Sequence, residues 1–193
     1  MSLREVKPGS FIFEKKNALP GFLCDNMIER FESRTEDQNA GRSGANATEN
    51  TQLKKTTDIY ISNKPHWKDA DNNLFRSFAI ALKEFQQLYP YFSDMSRFKD
   101  MGYNLQRYQP GEYYHWHVDS DNLALAPRQL VALWYLNDVP APGGETEFIF
   151  QDVKVSPEQG TLVLFPPFWT HEHRAAVIQQ GVKYIATTWL TFR

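Results

Sequence analysis

The chain has 193 residues, of which 41% are apolar and 15% aromatic, and a formal net charge of −2. That length and composition bury a substantial core, which argues against disorder along the chain and predicts a single domain, 1–193. The near-neutral charge gives no reason to expect a nucleic-acid surface, and no apolar run approaches the ~20 residues of a membrane span.

The opening residues Met-Ser-Leu-Arg-Glu-Val lack the apolar stretch of a secretory leader. Cys24 is the only cysteine, so no internal disulfide can form, and a reducing, cytoplasmic location is expected. On the same ground the glycosylation pattern Asn46-Ala-Thr48 is read as chance.

From the N-terminus, Phe22, Leu23, Met27, Ile28 and Phe31 follow a helical period, with Asp25 as the expected N-cap. Residues 36–52 are polar, small and almost free of core types, which predicts a mobile loop. A solvated connector is its plain reading and a lid over a site its sharper one. Residues 57–62 alternate as a strand does. His66, between Pro65 and Trp67, is expected at the surface or at a helix start. Residues 73–88 carry Leu74, Phe75, Phe78, Ile80, Ala81, Leu82, Phe85 and Leu88, which predicts an amphipathic helix ended by Pro90.

From about residue 98 the pattern changes to short strands, predicted at 102–108, 113–118, 128–136, 145–150, 161–165, 171–177 and 182–192. Turn signals separate them, among them Gln109-Pro-Gly111, Ala141-Pro-Gly-Gly144, Ser156-Pro-Glu-Gln-Gly160 and Gln179-Gln-Gly181. The fold class is therefore mainly β (α+β). A jelly-roll core over 99–193 is expected, with helices from a helical 1–98 segment packed on one sheet.

His117-Val118-Asp119, with 53 residues between Asp119 and His173 and Lys183 ten after His173, carries the chemistry. Alternate residues of a strand share a face and lie roughly 6.6 Å apart, so both members of His-x-Asp can reach one ion. Two imidazoles and a carboxylate form a facial triad that leaves positions open on a non-haem Fe(II). By strand parity His115 shares the face of His117 and Asp119, and His171 that of His173. A three-histidine set of His115, His117 and His171 is thus a competing, cupin-like reading. The ten-residue step to Lys183 favours His173 over His171.

The second half resembles the prolyl 4-hydroxylase branch of the 2-oxoglutarate- and Fe(II)-dependent dioxygenases over about 103–192. The resemblance rests on Tyr108-x-x-Gly111 before the His-x-Asp, Trp134-Tyr-Leu-Asn-Asp138, Gly143-Gly-Glu-Thr-Glu-Phe148, Gly160-Thr-Leu-Val-Leu-Phe165, and His173 followed by Gly181-Val-Lys-Tyr184 and Thr188-Trp189. It implies a double-stranded β-helix, with His117, Asp119 and His173 as iron ligands and Lys183 on the distal carboxylate of 2-oxoglutarate. Tyr108, Tyr135 and Thr146 would place hydroxyls near that co-substrate, and Trp189 would wall the cavity. The implied chemistry is oxidative decarboxylation of 2-oxoglutarate by O2, with ascorbate as an optional reductant, coupled to hydroxylation of an unactivated C–H. A peptidyl proline or a related side chain in a peptide or protein is the favoured substrate. A free amino acid or an alkylated nucleobase is the alternative.

Nucleobase chemistry is disfavoured because position 183 is Lys and no arginine follows Arg174 before Arg193. Halogenation is disfavoured because Asp119 occupies the carboxylate position. A non-catalytic, cupin-like binding module fits poorly with an intact triad. Trp134, Phe148, Phe150, Phe165 and Phe168 are read as core. Tyr113 and Tyr114 face opposite ways, so at most one lines a cavity. Arg128 is left open between capping a loop and facing substrate. Lys154 and Arg174 are expected to be solvated, and Gly143-Gly144 to serve a turn.

Overall fold

A computed structural model describes residues 2–44 and 48–193. In chain order these form β1 (Arg4–Glu5), β2 (Phe13–Lys15), α1 (Gly21–Ser33), β3 (Asn39–Ala40), β4 (Lys54–Lys55), β5 (Thr57–Tyr60) and α2 (Lys68–Leu88). There follow β6 (Phe98–Asp100), β7 (Asn104–Tyr108), β8 (Tyr113–His117), β9 (Arg128–Tyr135), β10 (Thr146–Phe148), β11 (Val153–Val155), β12 (Leu162–Phe165), β13 (His173–Ala175) and β14 (Lys183–Phe192). The larger sheet runs β1-β2-β12-β9-β14-β7-β5-β3, with β6 also paired to β14; the smaller runs β11-β10-β13-β8-β4. The arrangement is the mainly-β jelly roll expected, with both helices on the larger sheet.

Two cores follow from strand parity. On β9, Leu130, Ala132 and Trp134 join the helices, while Val131, Leu133 and Tyr135 face the second sheet. β12 divides in the same way, with Leu162 and Leu164 on one side and Val163 and Phe165 on the other. Central strands covered on both faces read as continuous apolar runs, which is why these two are so visible in the sequence. A buried polar relay ties helix α2 to the larger sheet. Trp134 Nε1 donates to Ser77 Oγ at 2.9 Å, and Ser77 Oγ donates to the Ala18 carbonyl at 2.7 Å.

Helix α1 begins a turn earlier than its apolar period suggested. Pro20 stands at the cap position, with no side-chain cap bond. Asp25 therefore lies inside the helix, where it accepts a hydrogen bond from Gln159 Nε2 at 2.7 Å rather than capping. Cys24, Met27 and Phe31 are buried, each apolar side chain contributing about 1.5–3 kcal/mol by leaving water. Burial pushes the Cys24 thiol up to about 12, so it stays protonated. Helix α2 starts five residues before the predicted 73, because Pro65–Trp67 forms a 3-10 turn that leads directly into it. His66, on that turn, bonds Asp37 at 2.7 Å.

The first half is less helical than its composition suggested. It supplies β1 to β5, strands too short to show a period and stabilised by partners such as β12 and β7. Within the stretch read as a mobile loop, Asn39–Ala40 pairs with β5, and Ser43 bridges Thr48. Asn46 of the glycosylation pattern lies outside the described residues. Phe150 is 64% exposed on the turn after β10, not in the core. Lys154 is exposed, as expected, and Arg174 partly so; both reach Glu147, at 2.7 and 2.6 Å. Among the described residues no helix is long and apolar enough to cross a membrane.

Candidate active site

The site is a cavity of about 210 Å³ between the two sheets. On β14, parity turns Lys183, Ile185, Thr187 and Trp189 inward. On β7 it turns Asn104, Gln106 and Tyr108 inward, and all seven line the cavity. Among the described residues His117, Asp119 and His173 form the one cluster able to hold a metal, their ligand atoms within 4.8 Å of one another. His117 Nε2 lies 3.5 Å from Asp119 Oδ1, and His173 Nε2 lies 3.9 Å from Asp119 Oδ2.

The pairing of β8 with β13 explains the convergence. His117 stands opposite His173, but Tyr114, not His115, stands opposite Ala175. This is a β-bulge, and the extra residue breaks the alternation of β8. Tyr114 therefore faces inward with His117, the two rings stacked 3.5 Å apart at 8°. His115 is exposed and stacks on Tyr113 at 4.1 Å. The expectation that His115 shares the face of His117 is corrected by this bulge. His171 is also removed from the cluster. It lies on a 3-10 turn, Trp169–His171, where strand parity does not apply, and its Nε2 bonds the Ser10 carbonyl at 2.9 Å.

Both converging imidazoles are oriented alike. His117 Nδ1 bonds the His115 carbonyl at 2.8 Å, and His173 Nδ1 bonds the His171 carbonyl at 3.0 Å. A carbonyl only accepts, so Nδ1 carries the proton and each Nε2 lone pair points to the cluster. Burial, with repulsion from His117, holds His173 down at about 4, so it is unprotonated at neutral pH. Burial opposes ionisation of Asp119, yet the His117 contact, the neighbouring His173 imidazole and the Trp189 N–H hold it below the usual carboxylate range. Deprotonated nitrogen and oxygen donors on one side of a cavity fit a divalent ion.

Lys183 is fully buried, and its Nζ donates to the Gly144 carbonyl at 2.7 Å. Gly144 has φ +82° and Gly143 φ +107°, and a Cβ on Gly143 would meet the Val177 carbonyl at 2.5 Å. The Gly-Gly turn is thus also what aims a carbonyl at the lysine. Burial lowers the ammonium to about 7 against a weaker opposing pull from Glu145. The rings of Tyr108 and Tyr135 lie 4.8 and 5.9 Å from Nζ. Tyr108 Oη donates to Gln106, while Tyr135 Oη donates to Thr146 Oγ1 at 2.6 Å. Tyr108 and Thr146 line the cavity, whereas Tyr135 stands behind Thr146.

Residues 103–191 match the family described as the 2OG-Fe(II) oxygenase superfamily. The matched stretch, which carries the triad and Lys183, is a 2OG-Fe(II) oxygenase domain. It is accordingly a dioxygenase dependent on Fe(II), 2-oxoglutarate and O2. No curated protein matches it in sequence. Solved structures that share this fold include three prolyl hydroxylases. A viral collagen prolyl hydroxylase from Paramecium Bursaria Chlorella virus-1, in complex with 2OG, is 19% identical with TM-score 0.68, covering 96% of this chain and 98% of its own. A Pseudomonas putida prolyl-4-hydroxylase is 18% identical with TM-score 0.70, covering 95% and 93%. A Trichoplax adhaerens prolyl hydroxylase, bound to a hypoxia inducible factor peptide fragment, is 16% identical with TM-score 0.79, covering 95% and 84%.

Several cavity residues of the oxygenase escaped the sequence reading. Asn104 and Gln106 were legible in principle, since they share the parity of Tyr108. Lys54 and Asp58, paired at 2.7 Å with Lys54 against the cavity, come from two short strands with no periodic signal. Arg128 proves to do two things: Nη1 donates to the Asp119 carbonyl at 2.7 Å, and its guanidinium lies 3.9 Å over the Trp189 ring.

Proposed function

We propose that the oxygenase hydroxylates a peptidyl proline or a related amino-acid side chain of a peptide or protein, in a reducing, cytoplasmic setting. The observation that carries the reading is a buried ammonium, Lys183, in one cavity with three converging metal-type donors. His117, Asp119 and His173 would hold the iron, and Lys183 the distal carboxylate of 2-oxoglutarate. When bound, Fe(II) with O2 and 2-oxoglutarate supplies the oxidant for an unactivated C–H and releases succinate and CO2.

The remaining roles belong to the protein's own groups. A carboxylate taken from water into this cavity requires a paired cation, which protonated Lys183 provides. Tyr108 covers that ammonium, and Thr146, backed by Tyr135, offers a hydroxyl beside it. Phe165 and Ile185 exclude water from the same wall. Asn104, Gln106 and Thr187 also line the cavity, with amides and a hydroxyl suited to a polar substrate. Resemblance in fold to prolyl hydroxylases, one of them peptide-bound, supports a peptide over a free amino acid.

The test is succinate formation with proline-containing peptides, free amino acids and nucleic acids, combined with mass spectrometry of each candidate product. A +16 product on a peptide supports the reading. A product confined to free amino acids or nucleic acids replaces the substrate class, and an iron-loaded protein silent with all three overturns the proposal.

A further inference from the structure

We infer that Trp189 is a positioning residue for Asp119: its indole N–H occupies Oδ2 and leaves Oδ1 as the one carboxylate oxygen offered to the metal. The inference rests on the ligand assignment proposed above. Asp119 lies beyond the end of β8, so no strand ladder fixes its side chain. The terminal torsion of a carboxylate is soft. Its orientation must therefore come from its partners.

Those partners are few and specific. The Asp119 backbone is held from both sides: its N–H donates to the Pro167 carbonyl at 3.0 Å, and its carbonyl accepts from Arg128 Nη1 at 2.7 Å. The carboxylate receives one hydrogen bond from a group outside the donor cluster, from Trp189 Nε1 to Oδ2 at 3.0 Å. Trp189 is well placed to be rigid. It stands on the long strand β14, opposite Val131 of β9, and its ring is covered by the Arg128 guanidinium. Arg128 thus grips the backbone of Asp119 and also the ring that grips its carboxylate.

The consequence is chemical. A charge-assisted N–H···O bond makes Oδ2 a poorer donor, while Oδ1 stays free 3.5 Å from His117 Nε2. A second carboxylate oxygen on the ion would take one of the open positions that co-substrate and O2 require. Holding Asp119 to one oxygen keeps that position available.

The experiment uses Co(II) as a spectroscopic probe of the full chain, without 2-oxoglutarate. Trp189→Phe keeps an aromatic ring against Arg128 and deletes the N–H donor, with a smaller ring in place of the indole. It is expected to weaken Co(II) binding about tenfold or more, as loss of an outer hydrogen bond to a ligand does. It should also change the visible d–d spectrum, because the carboxylate is then free to bind through both oxygens. A folded Trp189→Phe protein with the native Kd for Co(II) and the native spectrum overturns the inference. Should that variant fail to fold, β-(3-benzothienyl)alanine at position 189 preserves the bicyclic shape without the donor, and the same two readouts decide. Native protein that binds no Co(II) would instead remove the ligand assignment itself.

Discussion

His173 donates its Nδ1 proton to the carbonyl of His171 at 3.0 Å, so the two histidines have opposite duties: one supplies a ligand nitrogen, the other a backbone acceptor. The acceptor is main chain, and it survives a side-chain deletion at 171. His171→Ala should therefore bind Fe(II) with the native stoichiometry while losing about 1–3 kcal/mol of stability, because the Ser10 carbonyl loses its partner. His173→Ala should lose iron. Anaerobic iron titration with thermal melts checks both. Iron retained by His173→Ala and lost by His171→Ala would reverse the assignment.

Lys183 gives the protein a pH dependence of predictable sign. Its folded-state value, about 7, lies below the ordinary 10.5. Between these values the unfolded chain binds more protons, so stability of the ligand-free protein should rise with pH from about 7 to 10.5. Binding the 2-oxoglutarate dianion favours the ammonium, so the Kd for 2-oxoglutarate should increase as pH rises above 7, approaching about tenfold per unit. Calorimetric titrations across that window, with Lys183→Met as control, measure both slopes. The control should bind 2-oxoglutarate weakly with a flat profile and leave metal occupancy intact.

The buried pair Lys54–Asp58 fastens the strand that follows the polar loop to the larger sheet. Lys54 Nζ also reaches the Arg42 carbonyl at 3.4 Å, and Asp58 accepts from Thr56 and Asn104. Lys54→Ala leaves a buried carboxylate without its cation, a loss of about 3–5 kcal/mol. Denaturant unfolding checks the magnitude. Limited proteolysis should show faster cleavage at 48–54 in the variant, and slower cleavage in native protein once metal and 2-oxoglutarate are added if the loop acts as a lid.

Ser77→Ala tests the helix side of the fold. It removes the acceptor of the Trp134 N–H, which is buried with no route to water. A loss of about 1–3 kcal/mol in denaturant unfolding is expected. Adding Trp134→Phe should recover part of it, since the orphaned donor is then gone. Strict additivity of the two changes would show that the relay is energetically silent.

The residue types that carry the chemistry were readable from the chain because their spacing follows local geometry. His117-x-Asp119, the step from His173 to Lys183, and the apolar runs of β9 and β12 each report a strand or a turn. Helix α2 was legible for a similar reason, its apolar face recurring over about four turns.

What the chain alone did not decide depends on contacts between distant segments. Parity placed His115 beside His117, and one extra residue in β8, visible only against β13, turned it outward and brought Tyr114 in. Short strands such as β2, β4 and β5 have too few residues for any period and exist because longer strands pair with them. Residue type and spacing determined which atoms were available for a metal and an acid; register, bulge and burial decided which of them meet.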